Sequence, residues 1–158
     1  MRLPAFQTVI DEHGPALHRY LVGAVGVHDA NDCFQETMIA ALRAYPSLRH
    51  GDNLGGWLFT IAHRKVIDAA RAKDRRPVPV GALADGPGSG GTHEWPDVLD
   101  DGLWAHVGAL PTKQRSAVLL RFVADRPYAD IAGALECSEA AARQNVRAGL
   151  QRLREELA

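Results

Sequence analysis

Apolar residues recur along this chain at intervals of three and four, which predicts a protein built from helices. Phe6, Val9, Ile10, Leu17, Tyr20 and Leu21 form the first such stretch. Gly14-Pro15 interrupts it, so a short helix, a break and a second helix starting near Pro15 are expected. His13 and His18 read as surface or boundary residues. The next stretch, Asp29 to Tyr45, places Ala30, Cys33, Phe34, Thr37, Ala41, Ala44 and Tyr45 on a core face. Its opposite face shows Asp32, Gln35, Glu36, Ile39 and Arg43. Pro46 ends that helix, and the polar, glycine-rich loop 47–56 leads into a third.

That third helix runs from Trp57, after the Gly55-Gly56 pair, to Pro77. Leu58, Ile61, Ala62, Val66 and Ala69 fall on one side. Trp57, Arg64, Asp68, Arg71 and Arg75 fall on the other, with Lys65 toward the apolar side and Ile67 toward the polar one. Arg64 and Arg71 lie four before and three after Asp68, so either can hold its carboxylate. The cationic face suits a nucleic-acid backbone and an unpaired base; a plain solvated surface is the competing reading.

Past Pro77 the pattern stops. Four prolines and five glycines between Pro77 and Asp101 cannot build a core and read as a flexible linker. Periodicity resumes with Leu103, Trp104, Val107 and Leu110, then a helix start at Pro111-Thr112 followed by Val118, Leu119 and Phe122. A short helix from near Pro127 carries Tyr128, Ile131, Ala132 and Leu135. Ser138 suits the N-cap of a last helix, which buries Ala142, Val146, Leu150, Leu153 and Leu157 and shows Arg143, Gln144, Arg147, Gln151 and Arg154. A short helix, a tight turn and a longer basic helix describe a helix-turn-helix, whose second helix can enter a major groove. The fold class is therefore all-α: two small helical domains, 1–77 and 102–158, joined by the linker 78–101.

Charge sharpens this picture through its distribution. The 158 residues carry a formal net charge of −1, so no global excess advertises a polyanion partner. From Trp57 to Pro77, however, six basic residues face two acidic ones, whereas Gly81 to Asp101 holds five acidic residues and no Lys or Arg. The acidic frame around Ile39 makes the face of Asp32, Gln35 and Glu36 a candidate protein-docking surface. No apolar run is long enough to span a membrane, and no signal-peptide pattern opens the chain, so a cytoplasmic location is expected. Cys33 and Cys137 are far apart and read as reduced thiols. None of the seven histidines forms an H-x-x-x-H or H-E-x-x-H pair, which leaves a metal-dependent hydrolase weakly supported. No metal or cofactor is expected.

Several of these segments match, in order, the motifs of one family. Asp29-Ala-Asn-Asp-Cys-Phe-Gln-Glu-Thr37 resembles the D-A-x-D-x-x-Q-E-T signature of region two in bacterial sigma factors. Trp57 to Arg71 is similar to the W-L-x-x-I-A-x-N-x-x-I-D-x-x-R block that follows it. Leu110-Pro-Thr-Lys-Gln-Arg115, Leu119-Leu-Arg-Phe122, Tyr128-Ala-Asp-Ile-Ala132 and the last helix resemble region four. Short length without a region three is similar to the extracytoplasmic-function class.

The resemblance implies that the chain binds core RNA polymerase, at the beta-prime clamp and the beta flap. For the clamp it implies Asp29, Asp32, Gln35, Glu36, Ile39 and Arg43. For the minus-ten promoter element, where a single-stranded base is flipped from the stack, it implies Asn53, Trp57, His63, Arg64, Lys65, Asp68 and Arg71. Duplex minus-thirty-five DNA falls to Ser138, Glu139, Arg143, Gln144 and Arg147. It implies no chemistry of the chain's own, an anti-sigma factor as inhibitor, and no membrane insertion. A helix-turn-helix regulator without sigma activity would explain the second half but not the Asp29–Arg71 motifs. Three departures stand out. Arg64 replaces the family's Asn. Glu136 replaces the turn glycine, at a strain of ~1 kcal/mol. Gly56-Trp57 stands where primary sigma factors carry paired aromatics, which implies weaker melting and a narrower promoter range.

Overall fold

The protein is described by a computed structural model over residues 3–75 and 101–158. Among these residues there are seven α-helices: α1 (Phe6–Val25), α2 (Val27–Ala44), α3 (Leu54–Arg75), α4 (Asp101–Ala109), α5 (Thr112–Phe122), α6 (Tyr128–Leu135) and α7 (Glu139–Leu157). A single 3₁₀ turn, Tyr45–Ser47, follows α2. The segment read as a linker lies outside the described residues except for Asp101, which opens α4.

The first bundle packs α1, α2 and α3 against one another. Its core is Val9, Leu17, Tyr20, Leu21 and Ala24 from α1, Ala30, Cys33 and Ala41 from α2, and Leu58, Phe59, Ala62 and Val66 from α3. Full burial of a Leu- or Phe-sized side chain contributes about 1.5–3 kcal/mol. Thr37 is buried too, and its hydroxyl is satisfied by donating to the Cys33 carbonyl at 2.7 Å. Gly26 joins α1 to α2 at φ 89°, a conformation that disfavours a Cβ, so the two helices meet across one residue.

The expected break at Gly14-Pro15 is absent. α1 runs through Pro15, and the buried stripe of Val9, Gly14, Leu17, Tyr20 and Leu21 continues across it. Pro15 itself is exposed, so tertiary burial of the opposite face overrides the local cost of the ring. The third helix also starts earlier than Trp57. Asn53 caps it: its side-chain oxygen accepts from the Gly56 N–H at 3.0 Å and its carbonyl from Trp57 at 3.1 Å. Gly55 and Gly56 are thus part of the first turn. Ala44, assigned to the core from periodicity, is exposed, because α2 ends there and the chain turns away.

In the second bundle α5 is the central helix, with Ser116, Ala117, Val118, Leu119 and Leu120 buried in succession. Five consecutive buried positions require neighbours on every side, and α1, α6 and α7 supply them. Phe122 is the exception to the expected stripe, 61% exposed at the last position of α5. The chain folds back there, with the N–H groups of Ala124 and Arg126 on the carbonyls of Leu119 and Leu120, and Ala124 is buried instead. Leu157, also expected inside, is exposed at the end of α7, whereas Ala142, Val146 and Leu153 are buried as the pattern predicts.

The two bundles are in contact. α1 touches α4 and α5, and α3 lies along α6. A Cβ on Gly23 of α1 would sit 2.5 Å from Leu119 and 3.3 Å from Trp104, so only glycine admits this approach. Arg115 fastens the seam, donating to the Ala24 carbonyl at 2.9 Å and to the Leu110 carbonyl at 3.0 Å.

Candidate nucleic-acid interface

The seven residues expected at the minus-ten element do not share one surface. Asn53, besides capping α3, donates to Asp130 of α6 at 2.6 Å. Asp130 is buried, and Arg126 holds its other oxygen with contacts of 3.1 and 2.8 Å. Arg126 also lies 5.6 Å from the Phe59 ring and packs against Gly55. A Cβ on Gly56 would meet Asn53 at 2.5 Å and Asp130 at 3.0 Å. The glycine pair therefore serves close packing of α6 on α3.

His63 is buried at 2% exposure, not displayed with the cationic residues. Its Nδ1 lies 3.2 Å from the Tyr20 hydroxyl, which donates to Ser116 of α5 at 3.3 Å. Burial, with Lys113 nearby, lowers its pKa to about 4, against a smaller opposing effect of Glu136. His63 is neutral here and belongs to the seam between the bundles. Trp57 leans on Tyr45, ring centroids 6.1 Å apart, and Tyr45 in turn on Phe6 at 5.2 Å.

Arg64, Asp68 and Arg71 line an open cleft, whose floor the buried His63 also touches; Asp68 borders a second cleft as well. The first cleft has a volume of about 390 Å³, lies between α3 and the second bundle, and is also lined by Ile67, Lys113 and Glu136. Arg64 reaches Glu136 at 3.7 Å and not Asp68, and both partners are well exposed, which makes the pair weak. Lys65 turns the other way, into a cleft with Asp29, Asp32, Cys33 and Glu36. The cationic side of α3 is therefore split between two clefts.

The residues expected to dock on core polymerase share one surface. Asp32, Gln35, Glu36, Ile39 and Arg43 are all exposed on α2, while Asp29 pairs with Lys73 at 3.3 Å. Leu42, three residues beyond Ile39, is exposed at 56% beside Ile39 at 51%. Sequence reasoning passed over Leu42, although its helical spacing from Ile39 places it on the same flank. Cys33 lies beneath this face; burial, and secondarily Glu36, Asp29 and Asp32, push its thiol up to about 11, well away from a reactive thiolate.

The helix-turn-helix is formed by α6 and α7. Glu136 terminates α6 in the left-handed region, φ 55° and ψ 49°, the conformation in which the expected strain arises. Ser138 caps α7 by accepting the Ala141 N–H at 3.0 Å. Glu139, Arg143, Gln144 and Arg147 are exposed on α7, and Glu139 lies 3.6 Å from Arg143. Arg143 also sits over the Tyr128 ring at 4.9 Å, and Arg121 over the same ring at 4.6 Å. Arg121 was not among the residues expected from the sequence. Its place in a buried helix gave no signal; only the fold brings it beside the reading helix.

A helix-turn-helix with an exposed basic second helix, joined in one chain to a bundle with an acidic and apolar flank, defines a class of two-part helical proteins. The comparisons narrow that class. Residues 9–76 match the model of sigma-70 region 2, and residues 103–153 that of sigma-70 region 4. The chain is 31% identical to the ECF RNA polymerase sigma factor SigG of Mycobacterium tuberculosis, over 83% of this chain and 41% of SigG. It is 30% identical to the ECF RNA polymerase sigma factor EcfG of Rhodopseudomonas palustris, over 78% of this chain and 69% of EcfG. The fold matches the sigma factor RpoE of Bartonella quintana, solved with the anti-sigma factor NepR, with a TM-score of 0.76 and 24% identity over 96% of both chains. The chain belongs to the extracytoplasmic-function family of RNA polymerase sigma factors.

Proposed function

We propose that this chain binds core RNA polymerase and directs promoter-specific initiation, the polymerase supplying the chemistry. Region two, 1–77, docks through Asp32, Gln35, Glu36, Ile39, Leu42 and Arg43 and receives the minus-ten element on α3. Region four, 102–158, reads the minus-thirty-five element through Glu139, Arg143, Gln144 and Arg147. The observation that carries this reading is the coexistence of two separate exposed surfaces, the acidic-apolar flank of α2 and the basic face of α7. A simple DNA-binding regulator needs only the second.

With Asn53 bonded to Asp130 and His63 enclosed, α3 meets a flipped base only after α6 has moved away. An anti-sigma factor that grips both regions would hold them together; RpoE, whose fold this chain shares, was solved in complex with an anti-sigma factor. Run-off transcription with core polymerase on genomic fragments tests the function. Transcripts that start at defined sites and need both the chain and core polymerase are expected. Binding to DNA without any stimulation of core polymerase would favour the regulator without sigma activity.

A further inference from the structure

The second bundle contains an arrangement that the expected reading residues account for only in part, through Arg143. Two guanidinium groups, Arg121 from α5 and Arg143 from α7, are brought to one aromatic ring, that of Tyr128 at the start of α6. Like charges so placed repel each other. The ring offers each a cation–π contact of about 0.5–1 kcal/mol at an exposed site. Glu139 lies within ion-pair distance of Arg143, and Arg121 donates to the Arg126 carbonyl at 3.3 Å. Three helices thus converge to bring two cations over one ring, with Arg143 half exposed on the solvent face of α7. A second anion would complete the charge balance, and on this face it is a nucleic-acid phosphate.

We propose that Tyr128 is a positioning residue: its ring presents the edge of the Arg143 guanidinium to one guanine and holds Arg121 toward the neighbouring phosphate. The inference rests on region four reading duplex DNA. A guanidinium stacked on a ring keeps its in-plane N–H fork free, which is the geometry that bonds guanine O6 and N7 together. Lysine in place of Arg143 would keep the charge and lose both the stack and the fork. Arg121, directed at the backbone, adds affinity without sequence information.

The test is selection from a duplex library randomised at the upstream element, with the full chain assembled on core polymerase. The wild type is expected to enrich one guanine by roughly 5- to 150-fold, the span of a good bidentate contact. R143A and R143K lose that enrichment. Y128L reduces it by roughly 2- to 5-fold at the same base pair, and Y128F, which keeps the ring, restores it. R121A leaves base preference unchanged and lowers the slope of log affinity against log salt by about 0.9. Thermal unfolding of Y128L and Y128F separates a folding defect from a loss of positioning. Undiminished guanine preference in Y128L, or a loss in Y128F equal to that in Y128L, overturns the proposal. A wild-type chain that selects no upstream base overturns the reading by region four as well.

Discussion

Acid is expected to weaken the seam between the two bundles through a single residue. His63 is buried between Tyr20, Lys113 and Glu136, and its pKa falls to about 4 from an ordinary value of 6.5. An unfolded chain takes up the proton near pH 6.5, while the folded chain does not until about pH 4. Over that window the unfolded state binds more protons, so stability rises with pH and falls as the medium is acidified. The stabilising contribution is complete above pH 6.5 and gone below pH 4. At 1.36 kcal/mol per pH unit, the difference amounts to about 3 kcal/mol. Carboxylates titrate in the lower part of the window, so the measurement is a difference. Urea unfolding of wild type and His63→Gln is followed from pH 4 to 8. The glutamine variant, with no titrating ring, is expected to lose less stability between pH 6.5 and 4.5. Parallel profiles for the two proteins would refute the argument and place the imidazole in water.

Asp130→Ala leaves the Arg126 guanidinium without its carboxylate in a part-buried site and releases Asn53; a loss of about 3 kcal/mol is expected in urea unfolding. Asp130→Asn, which retains an acceptor, should cost less. Glu136→Gly removes the left-handed strain at the helix-turn-helix connection and is expected to stabilise by about 1 kcal/mol, read as a higher thermal midpoint. Unchanged melting would mean that Glu136 adopts its turn without cost. Asp32→Arg with Glu36→Arg is expected to abolish co-purification with core polymerase, and Leu42→Asp to weaken it, at unaltered thermal stability. Retained co-purification of the charge-reversed pair would separate α2 from docking.

The helices were most legible in sequence where burial is one-sided: α2 and α7 each carry a clean 3.6-residue stripe. Where legibility failed, long-range contact had replaced local preference. Pro15 reads as a break until α1 is seen packed against four other helices, α2, α3, α4 and α5. Gly55-Gly56 reads as a hinge until α6 lies against it. Asp130 sits inside a motif whose spacing gives no hint of its partner, Asn53, because that partner is in the other bundle. His63 was grouped with its cationic neighbours, although one step around a helix turns a side chain by about 100° and here separates solvent from core. Residues in the candidate site could be chosen by type and order; their burial could not.

In the proposed function, the bond between Asn53 and Asp130 would also set a thermodynamic toll on promoter recognition. The Asn53 side chain is already satisfied by Asp130, so a proposed contact of Asn53 with a base starts from the cost of breaking that bond. For a form that is competent one part in a hundred, apparent affinity falls about a hundredfold, or roughly 2.7 kcal/mol. Any ligand with greater affinity for the open form refunds that amount before DNA arrives. Under the proposed function, core polymerase bound at α2 would be such a ligand, and promoter affinity would then be conditional on assembly.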